Sequence, residues 1–156
     1  MIAIDIPGRE TVILEHLVLD VNGTIVSGGE VIESVPEALR TLAGSLHVVA
    51  VTADTRGMAT ALAEELGIEV HVIPTGEEGR SKLEYLQELG AEACVAVGNG
   101  ANDALMLQTA AVGIAVIGAE GVAAGCLLAA DIVTTSIGDA LSLLLDPLRL
   151  AATLRG

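Results

Sequence analysis

The sequence has few aromatic residues, few basic residues and no long apolar segment. It contains no tryptophan or phenylalanine and a single tyrosine, Tyr85, although 52% of its 156 residues are hydrophobic. A chain of this length can bury a substantial core, which must here be built from aliphatic side chains. Seven basic residues stand against 21 acidic ones, for a formal net charge of −14. This balance argues against nucleic-acid binding through phosphates and against an anionic membrane surface.

Cysteine is also scarce, and no pattern predicts export or membrane insertion. Cys94 and Cys126 both lie in apolar runs, which favours reduced core residues over a disulfide. No apolar run is long enough to span a bilayer, and Asp5 interrupts the first apolar stretch, so no signal peptide is predicted. The sequence therefore predicts a cytoplasmic protein with one domain over residues 1–156.

Strands alternate with helices along the chain. Alternating apolar residues around Pro7-Gly8 predict a β-hairpin over residues 1–14. Short apolar runs predict further strands, and the segments between them predict helices. The strands are predicted at 17–20, 46–51, 68–73, 93–97, 112–117 and 131–134. One helix is predicted to begin near Ser34, a second is capped by Asp54 or Thr55, and another contains Leu105 and Leu107. The remaining helices are predicted at 79–89, 121–129, 137–145 and 147–154. This order predicts an α/β fold with a doubly wound, mostly parallel sheet, and residues 25–35 read as a loop.

Three predicted strands end on polar residues. Asp20 closes the run Leu17-Val18-Leu19, Thr52 follows the second strand, and the fourth strand runs into Gly98-Asn99-Gly100-Ala101-Asn102-Asp103. The carboxyl ends of parallel strands meet at one crevice, so these groups should lie together, near Lys82 in the first turn of an intervening helix. Such groups suit phosphate chemistry, because a carboxylate can attack phosphorus or hold a cation while hydroxyl and N–H groups bind phosphate oxygens.

Each of these residues also has a purely structural interpretation. Asp20 and Thr52 could simply cap turns, and Lys82 could be a solvated helix residue. The Gly-rich segment 98–100 could be an ordinary turn. The ordered spacing of all four features favours the functional interpretation over four separate structural ones.

The motifs resemble those of the haloacid-dehalogenase superfamily, and within it the phosphorylation domain of P-type ATPases. Asp20-Val21-Asn22-Gly23-Thr24 is similar to the D-K-T-G-T motif, and the segment 97–104 is similar to V-G-D-G-x-N-D-A. Thr52-Ala53-Asp54 resembles the T-G-D segment, and Lys82 stands where the superfamily has its lysine. The resemblance covers residues 17–155, without membrane spans or a nucleotide-binding insert. It is therefore nearest to the small, soluble P-type-ATPase-like proteins that have no cap domain.

This resemblance implies a Mg²⁺-dependent phosphohydrolase that works through an aspartyl phosphate. It implies Asp20 as the nucleophile, Thr52 as a phosphoryl-binding hydroxyl and Lys82 as the neutralising cation. The implied phosphate-binding and loop residues are Asn22, Gly23, Thr24, Ala53 and Asn102. The implied Mg²⁺ ligands are Asp20, the carbonyl of Asn22, Asn99 and, through water, Asp103.

Two asparagines depart from the superfamily pattern. Asn22 stands where efficient phosphatases have the aspartate that protonates the leaving group and later activates water, and an amide cannot transfer a proton in this way. Asn99 stands at the usual metal-binding aspartate, where its oxygen can coordinate Mg²⁺ but brings no charge. We therefore expect weak metal binding and slow turnover of a small phosphorylated substrate with a good leaving group.

Two further expectations concern partners. A phosphate-binding or regulatory module without useful turnover is the alternative function, and the two asparagines favour it. Self-association as a homo-oligomer is compatible with either function. The hairpin 1–14 and the closing helix 147–154 are the surfaces expected to mediate it.

Overall fold

A six-stranded parallel sheet forms the centre of the protein, whose residues 1–54 and 57–156 are described by a computed structural model. Its strands are β3 (His16–Asp20), β6 (His47–Thr52), β7 (Glu69–Val72), β8 (Cys94–Gly98), β9 (Val112–Val116) and β10 (Ile132–Thr134). Their order across the sheet is β10-β9-β8-β3-β6-β7, and all neighbours are parallel. The predicted doubly wound α/β fold is confirmed.

Helices cover both faces of this sheet. One face packs against α1 (Val35–Leu42), α2 (Met58–Leu66), α6 (Ile137–Leu145) and α7 (Pro147–Leu154), and the other against α3 (Glu78–Leu89), α4 (Ala104–Thr109) and α5 (Ala124–Ala129). In β3, Leu17 and Leu19 belong to the first apolar cluster and Val18 to the second. Burial on both sides explains why this strand is an unbroken apolar run rather than an alternating one.

An antiparallel hairpin precedes the sheet, as predicted. Its strands are β1 (Ile2–Ile4) and β2 (Val12–Leu14), with Ile2 opposite Leu14. The side chains of Ile4 and Leu14 are fully buried in the first apolar cluster. The hairpin therefore adds to the core.

Some details differ from the sequence predictions, among them the helix predicted at 121–129, which begins at Ala124. The segment between β3 and α1, predicted as a loop, contains the short antiparallel strands β4 (Val26–Ser27) and β5 (Glu30–Val31). They are joined by Gly28-Gly29, both at positive φ, as a two-residue hairpin turn requires. The N-cap of α2 is Gly57 rather than Asp54; the alternative cap, Thr55, lies outside the described residues.

Other predictions from composition can be compared directly. Cys94 and Cys126 are both buried and not bridged. No helix within the described residues is long and apolar enough to cross a membrane.

The order of the strands reverses at β3. The chain passes from β3 to β6 and β7 on one side, and then returns to β8, β9 and β10 on the other. Ligands of doubly wound sheets bind at the carboxyl ends of the strands beside such a switch point. Asp20 ends β3 and Gly98 ends the neighbouring β8, so the fold places the predicted site residues at this point.

Candidate active site

A pocket of about 240 Å³ opens at the carboxyl ends of β3, β6 and β8. Seven of the predicted site residues line it: Asp20, Asn22, Thr52, Ala53, Lys82, Asn99 and Asn102. Four residues outside the predicted set also line it: Asp54, Glu78, Gly100 and Glu120. A larger groove of about 870 Å³ lies beside β2, but its charged lining residues are all glutamates. Chemistry rather than size therefore identifies the site.

Lys82 bridges two buried carboxylates. Its Nζ donates to Asp20 Oδ1 at 2.5 Å and to Asp103 Oδ1 at 2.7 Å. The lysine is 2% exposed and Asp103 is 0% exposed, which excludes a solvated helix lysine. Because α3 begins at Glu78, Lys82 lies in its second turn rather than in the predicted first turn.

The three buried groups carry one excess negative charge when all are ionised. Burial and the nearby Asp103 raise the pKa of Asp20 from 3.8 to about 6, against the opposing effect of Lys82 and Thr24. Burial alone would lower the pKa of Lys82, but Asp20 and Asp103 together raise it. Lys82 therefore stays protonated at neutral pH, and an ionised Asp20 leaves the site suited to an added cation.

The raised pKa of Asp20 predicts a gain in stability on neutralisation. Because the pKa is about 6 in the folded protein and 3.8 ordinarily, protonation of Asp20 contributes stability that is fully present below 3.8. This stability is lost as the pH rises through about 6. In metal-free buffer at pH 8, Asp20→Asn should raise the free energy of unfolding by about 1–3 kcal/mol. Urea denaturation at pH 8 and pH 4 measures it; a gain that does not shrink at pH 4 would contradict the explanation.

Besides binding Lys82, Asp103 also holds the loop after β8 in place. Its Oδ2 accepts hydrogen bonds from the N–H of Asn99 at 3.0 Å and of Gly100 at 2.9 Å. A Cβ on Gly98 would lie 2.5 Å from Asp103 Cγ, so only glycine allows this approach. Asp103 does not line the pocket, and three donors occupy its two oxygens. Its role as a metal ligand stays a prediction.

Thr24 joins the side chains of two residues that line the pocket, Asp20 and Asn99. Its fully buried hydroxyl lies 3.2 Å from Asp20 Oδ2 and 3.2 Å from Asn99 Oδ1. The two acceptors share one hydroxyl hydrogen. A carboxylate oxygen and an amide oxygen therefore lie within hydrogen-bond distance of the same atom. Oxygen atoms of these kinds are the ligands that Mg²⁺ accepts, usually with one or two carboxylates and several waters.

The donor set fits a magnesium ion that keeps part of its water shell. The fitting atoms are the Asp20 carboxylate and the Asn99 amide oxygen, beside Asn22 in the pocket lining. Among the described residues, no three His, Cys, Asp or Glu side chains gather into a cluster that could hold a metal alone. Binding would thus depend on amide, backbone and water oxygens in addition to Asp20.

Thr52 is buried at the end of β6, with its hydroxyl at the pocket. Its Oγ1 accepts from the N–H of Asp54 at 3.1 Å, so the structural interpretation of Thr52 as a turn cap also holds. As the acceptor in this bond, the hydroxyl can still donate its own hydrogen to a phosphate oxygen.

Gly23 forms the tight turn after Asp20. Its φ is +82°, and a Cβ here would lie 2.5 Å from Glu120 Oε2 and 2.7 Å from Asn99 Nδ2. The turn therefore requires glycine for both its conformation and its closeness to these side chains. Glu120, which follows β9, is one of the pocket carboxylates that sequence reasoning missed, because no recognised motif contains it.

Comparison with known proteins agrees with this geometry. Residues 6–111 match a family model described as haloacid dehalogenase-like hydrolase. An uncharacterized protein of Methanocaldococcus jannaschii is 48% identical over 84 residues, which are 51% of this chain and 90% of that protein. Copper-transporting ATPase 2 of Rhizobium meliloti is 40% identical over 87 residues, 54% of this chain but 10% of the ATPase.

The fold is also that of solved phosphatases. The crystal structure of 3-deoxy-D-manno-octulosonate 8-phosphate phosphatase from Moraxella catarrhalis, in complex with magnesium, phosphate and KDO, superimposes with a TM-score of 0.71. The sequence identity is 19%, over 89% of this chain and 90% of that one. The resemblance drawn from the motifs is thus confirmed. Since the family model matches more than half of its residues, the chain belongs to the haloacid dehalogenase-like hydrolase family.

Proposed function

We propose that the protein is a slow, Mg²⁺-dependent phosphohydrolase that forms an aspartyl phosphate on Asp20. One observation carries this proposal: the two carboxylates on Lys82 differ in access. Asp20 is 8% exposed and lines the pocket, whereas Asp103 is fully buried and does not line it. Only Asp20 of this pair can reach a phosphorus atom that enters the pocket.

The proposed reaction has two displacements at phosphorus. An Asp20 oxygen forms a bond to phosphorus while the bond to the leaving-group oxygen breaks, and the leaving group departs with the electron pair. Water then attacks phosphorus and the bond to the Asp20 oxygen breaks. Phosphate is released, and the free Asp20 carboxylate is regenerated. The proton of the attacking water passes to solvent, because Asn22 cannot accept it.

The remaining pocket residues bind and orient the phosphoryl group. Lys82 fixes the Asp20 carboxylate through its 2.5 Å hydrogen bond and offsets negative charge in the transition state. The Thr52 hydroxyl, the N–H of Ala53 and the Asn102 amide are the proposed donors to the phosphoryl oxygens. Because Asn22 cannot protonate the leaving group, we expect acyl, aryl or nucleoside polyphosphate substrates, whose leaving groups depart as stable anions.

Asp20, the Asn99 amide and the Asn22 carbonyl are the proposed ligands of Mg²⁺. Bound there, the ion supplies positive charge against the nucleophile and the phosphoryl oxygens. The need for it follows from the pocket lining, in which Lys82 stands against the carboxylates of Asp20, Asp54, Glu78 and Glu120. The magnesium and phosphate in the Moraxella structure support the proposal by analogy of fold.

Turnover and an intermediate mimic test this function together. Wild-type protein should release phosphate slowly from p-nitrophenyl phosphate and from ATP with Mg²⁺, and Asp20→Asn should not. Beryllofluoride with Mg²⁺, which mimics an aspartyl phosphate, should raise the melting temperature of the wild type alone. An equal shift in the Asp20→Asn protein would remove Asp20 as the nucleophile.

Asn22 and Asn99 favour a second candidate function, that of a module which binds phosphate without useful turnover. That module would show the beryllofluoride shift but no phosphate release above the Asp20→Asn background. Self-association through the hairpin 1–14 or through α7, and a cytoplasmic location, stay predictions under either function.

A further inference from the structure

We propose that Glu120 supplies the carboxylate that Asn99 lacks, and thereby completes the Mg²⁺ site. This inference rests on the proposed function and names a further residue of the same site. Glu120 lines the pocket with Asp20, Asn22 and Asn99. A Cβ placed on Gly23 would be 2.5 Å from Glu120 Oε2 and 2.7 Å from Asn99 Nδ2, so both side chains lie close to the turn at Gly23.

The backbone around Glu120 is fixed against Asn99. A tight turn is closed by the hydrogen bond from the Gly121 N–H to the Gly118 carbonyl at 2.9 Å. The Ala123 N–H donates to the Asn99 carbonyl at 2.8 Å, and Asn99 Nδ2 donates to the Gly121 carbonyl at 3.4 Å. These bonds hold the turn after β9 beside residue 99, so the fold places the backbone of Glu120 next to Asn99.

Charge gives the chemical reason. Mg²⁺ in proteins is usually held by one or two carboxylates, and a neutral amide at residue 99 leaves Asp20 as the one carboxylate among the ligands proposed above. Asp103 cannot easily make up the deficit, because Lys82 and two backbone N–H groups occupy its oxygens. Across the described residues, no lysine, arginine or histidine forms an ion pair with Glu120. Its charge is therefore available to a cation.

Glu78 provides the comparison, since it lines the same pocket but is differently placed. It stands at the start of α3, and its Oε1 accepts from the N–H of Gly76 at 3.0 Å. Glu120 by contrast adjoins Asn99, whose amide oxygen shares the Thr24 hydroxyl with Asp20. A general effect of negative charge at the rim would act through both glutamates, whereas a metal-site carboxylate would act through Glu120 alone.

Calorimetric titration of Mg²⁺, without phosphate or substrate, separates these cases. Glu120→Gln should raise the Kd for Mg²⁺ by about 10-fold, the lower end of the losses seen when a metal-site partner is removed. The matched control Glu78→Gln should change the Kd by less than about 2-fold, as expected for a solvated charge under salt screening. Equal losses in the two variants, or no loss in Glu120→Gln, would overturn the proposal. Because Glu120 is exposed, Glu120→Gln should melt like the wild type. The melting temperature of Glu78→Gln is measured alongside, since Glu78 is half-buried and accepts from the N–H of Gly76.

A double-mutant cycle tests whether Glu120 substitutes for a carboxylate at residue 99. Asn99→Asp alone should tighten Mg²⁺ binding, and in that background Glu120→Gln should cost much less than in the wild type. An identical loss in both backgrounds would overturn the substitution. Mg²⁺ binding that survives Glu120→Gln but is lost in Asp20→Asn would reject Glu120 and leave the proposed function standing. A wild type that binds no Mg²⁺ would reject both.

Discussion

Replacing Asn22 by aspartate should accelerate the hydrolysis of p-nitrophenyl phosphate by about 10²–10⁴-fold at saturating Mg²⁺. This is the typical contribution of a positioned acid–base group and corresponds to roughly 3–5 kcal/mol of barrier. Asn22 lies two residues after Asp20, is exposed and lines the pocket. A carboxyl group there can protonate the departing oxygen and later take a proton from water, which the amide cannot do.

The leaving group gives this prediction a second measurable feature. The gain should be larger for an alkyl phosphate than for p-nitrophenyl phosphate, because a poorer leaving group depends more on protonation. The added carboxylate also places negative charge near Asp20, so the assay needs saturating metal. Asn102→Asp makes the same change in the same pocket, but because Asn102 is a proposed phosphoryl donor, this variant should turn over more slowly than the wild type. A folded Asn22→Asp protein without activity would favour the binding module over a latent phosphatase.

Replacing Lys82 by methionine should have the largest effect on stability. Methionine keeps much of the length of the side chain but leaves the buried Asp20 and Asp103 carboxylates facing each other without a cation. Removing one partner from a buried ionic cluster typically costs about 3–5 kcal/mol. Urea denaturation at pH 8 measures the loss. Arg80→Met removes an exposed cation of the same helix that is paired with Glu84, and it should cost no more than about 0.5 kcal/mol.

The loss in Lys82→Met should also depend on pH. Without the lysine, the pKa of Asp20, already raised to about 6, rises further, and the folded protein holds its proton more tightly than the unfolded chain does. Stability is then regained as the pH falls and lost as it rises. A variant too unstable to fold at pH 8 should therefore fold at pH 5. A loss that is the same at both pH values would contradict the buried-charge explanation.

The convergence of the site could be predicted because it follows from the sheet. Asp20, Thr52 and the loop after Gly98 each end a parallel strand, and strands of this kind bring their carboxyl ends to one edge. The apolar runs identified the strands, and both Gly23 and Asn99 fell where the motifs placed them. The position of Lys82 in the intervening helix predicted that it would lie near these groups, but its hydrogen bonds to both Asp20 and Asp103 were not predicted.

What could not be predicted depends on the arrangement of loops in three dimensions. Glu120 follows a strand without a motif, and only the order of β8 and β9 in the sheet shows that its turn adjoins Asn99. Asp103 is turned inward by the short 3₁₀ helix Ala101–Asp103, so it binds Lys82 rather than lining the pocket. The β4–β5 hairpin did have a local signal, Gly28-Gly29 between two short flanks, which the prediction of a loop overlooked.

The central position of β3 also has a consequence for how the protein acquires its chemistry during folding. The ion pair between Lys82 and Asp20 closes a separation of 62 residues, and the contact between Thr24 and Asn99 closes one of 75. Chain entropy must be given up over these distances before any such contact forms, which makes parallel pairing slow. A nascent chain that ends before β8 would present an open edge of β3. It would also lack Asp103, the second carboxylate that binds Lys82, and Asn99, the second acceptor for Thr24. We therefore expect the proposed activity to require the completed sheet, and not only the short motif around Asp20.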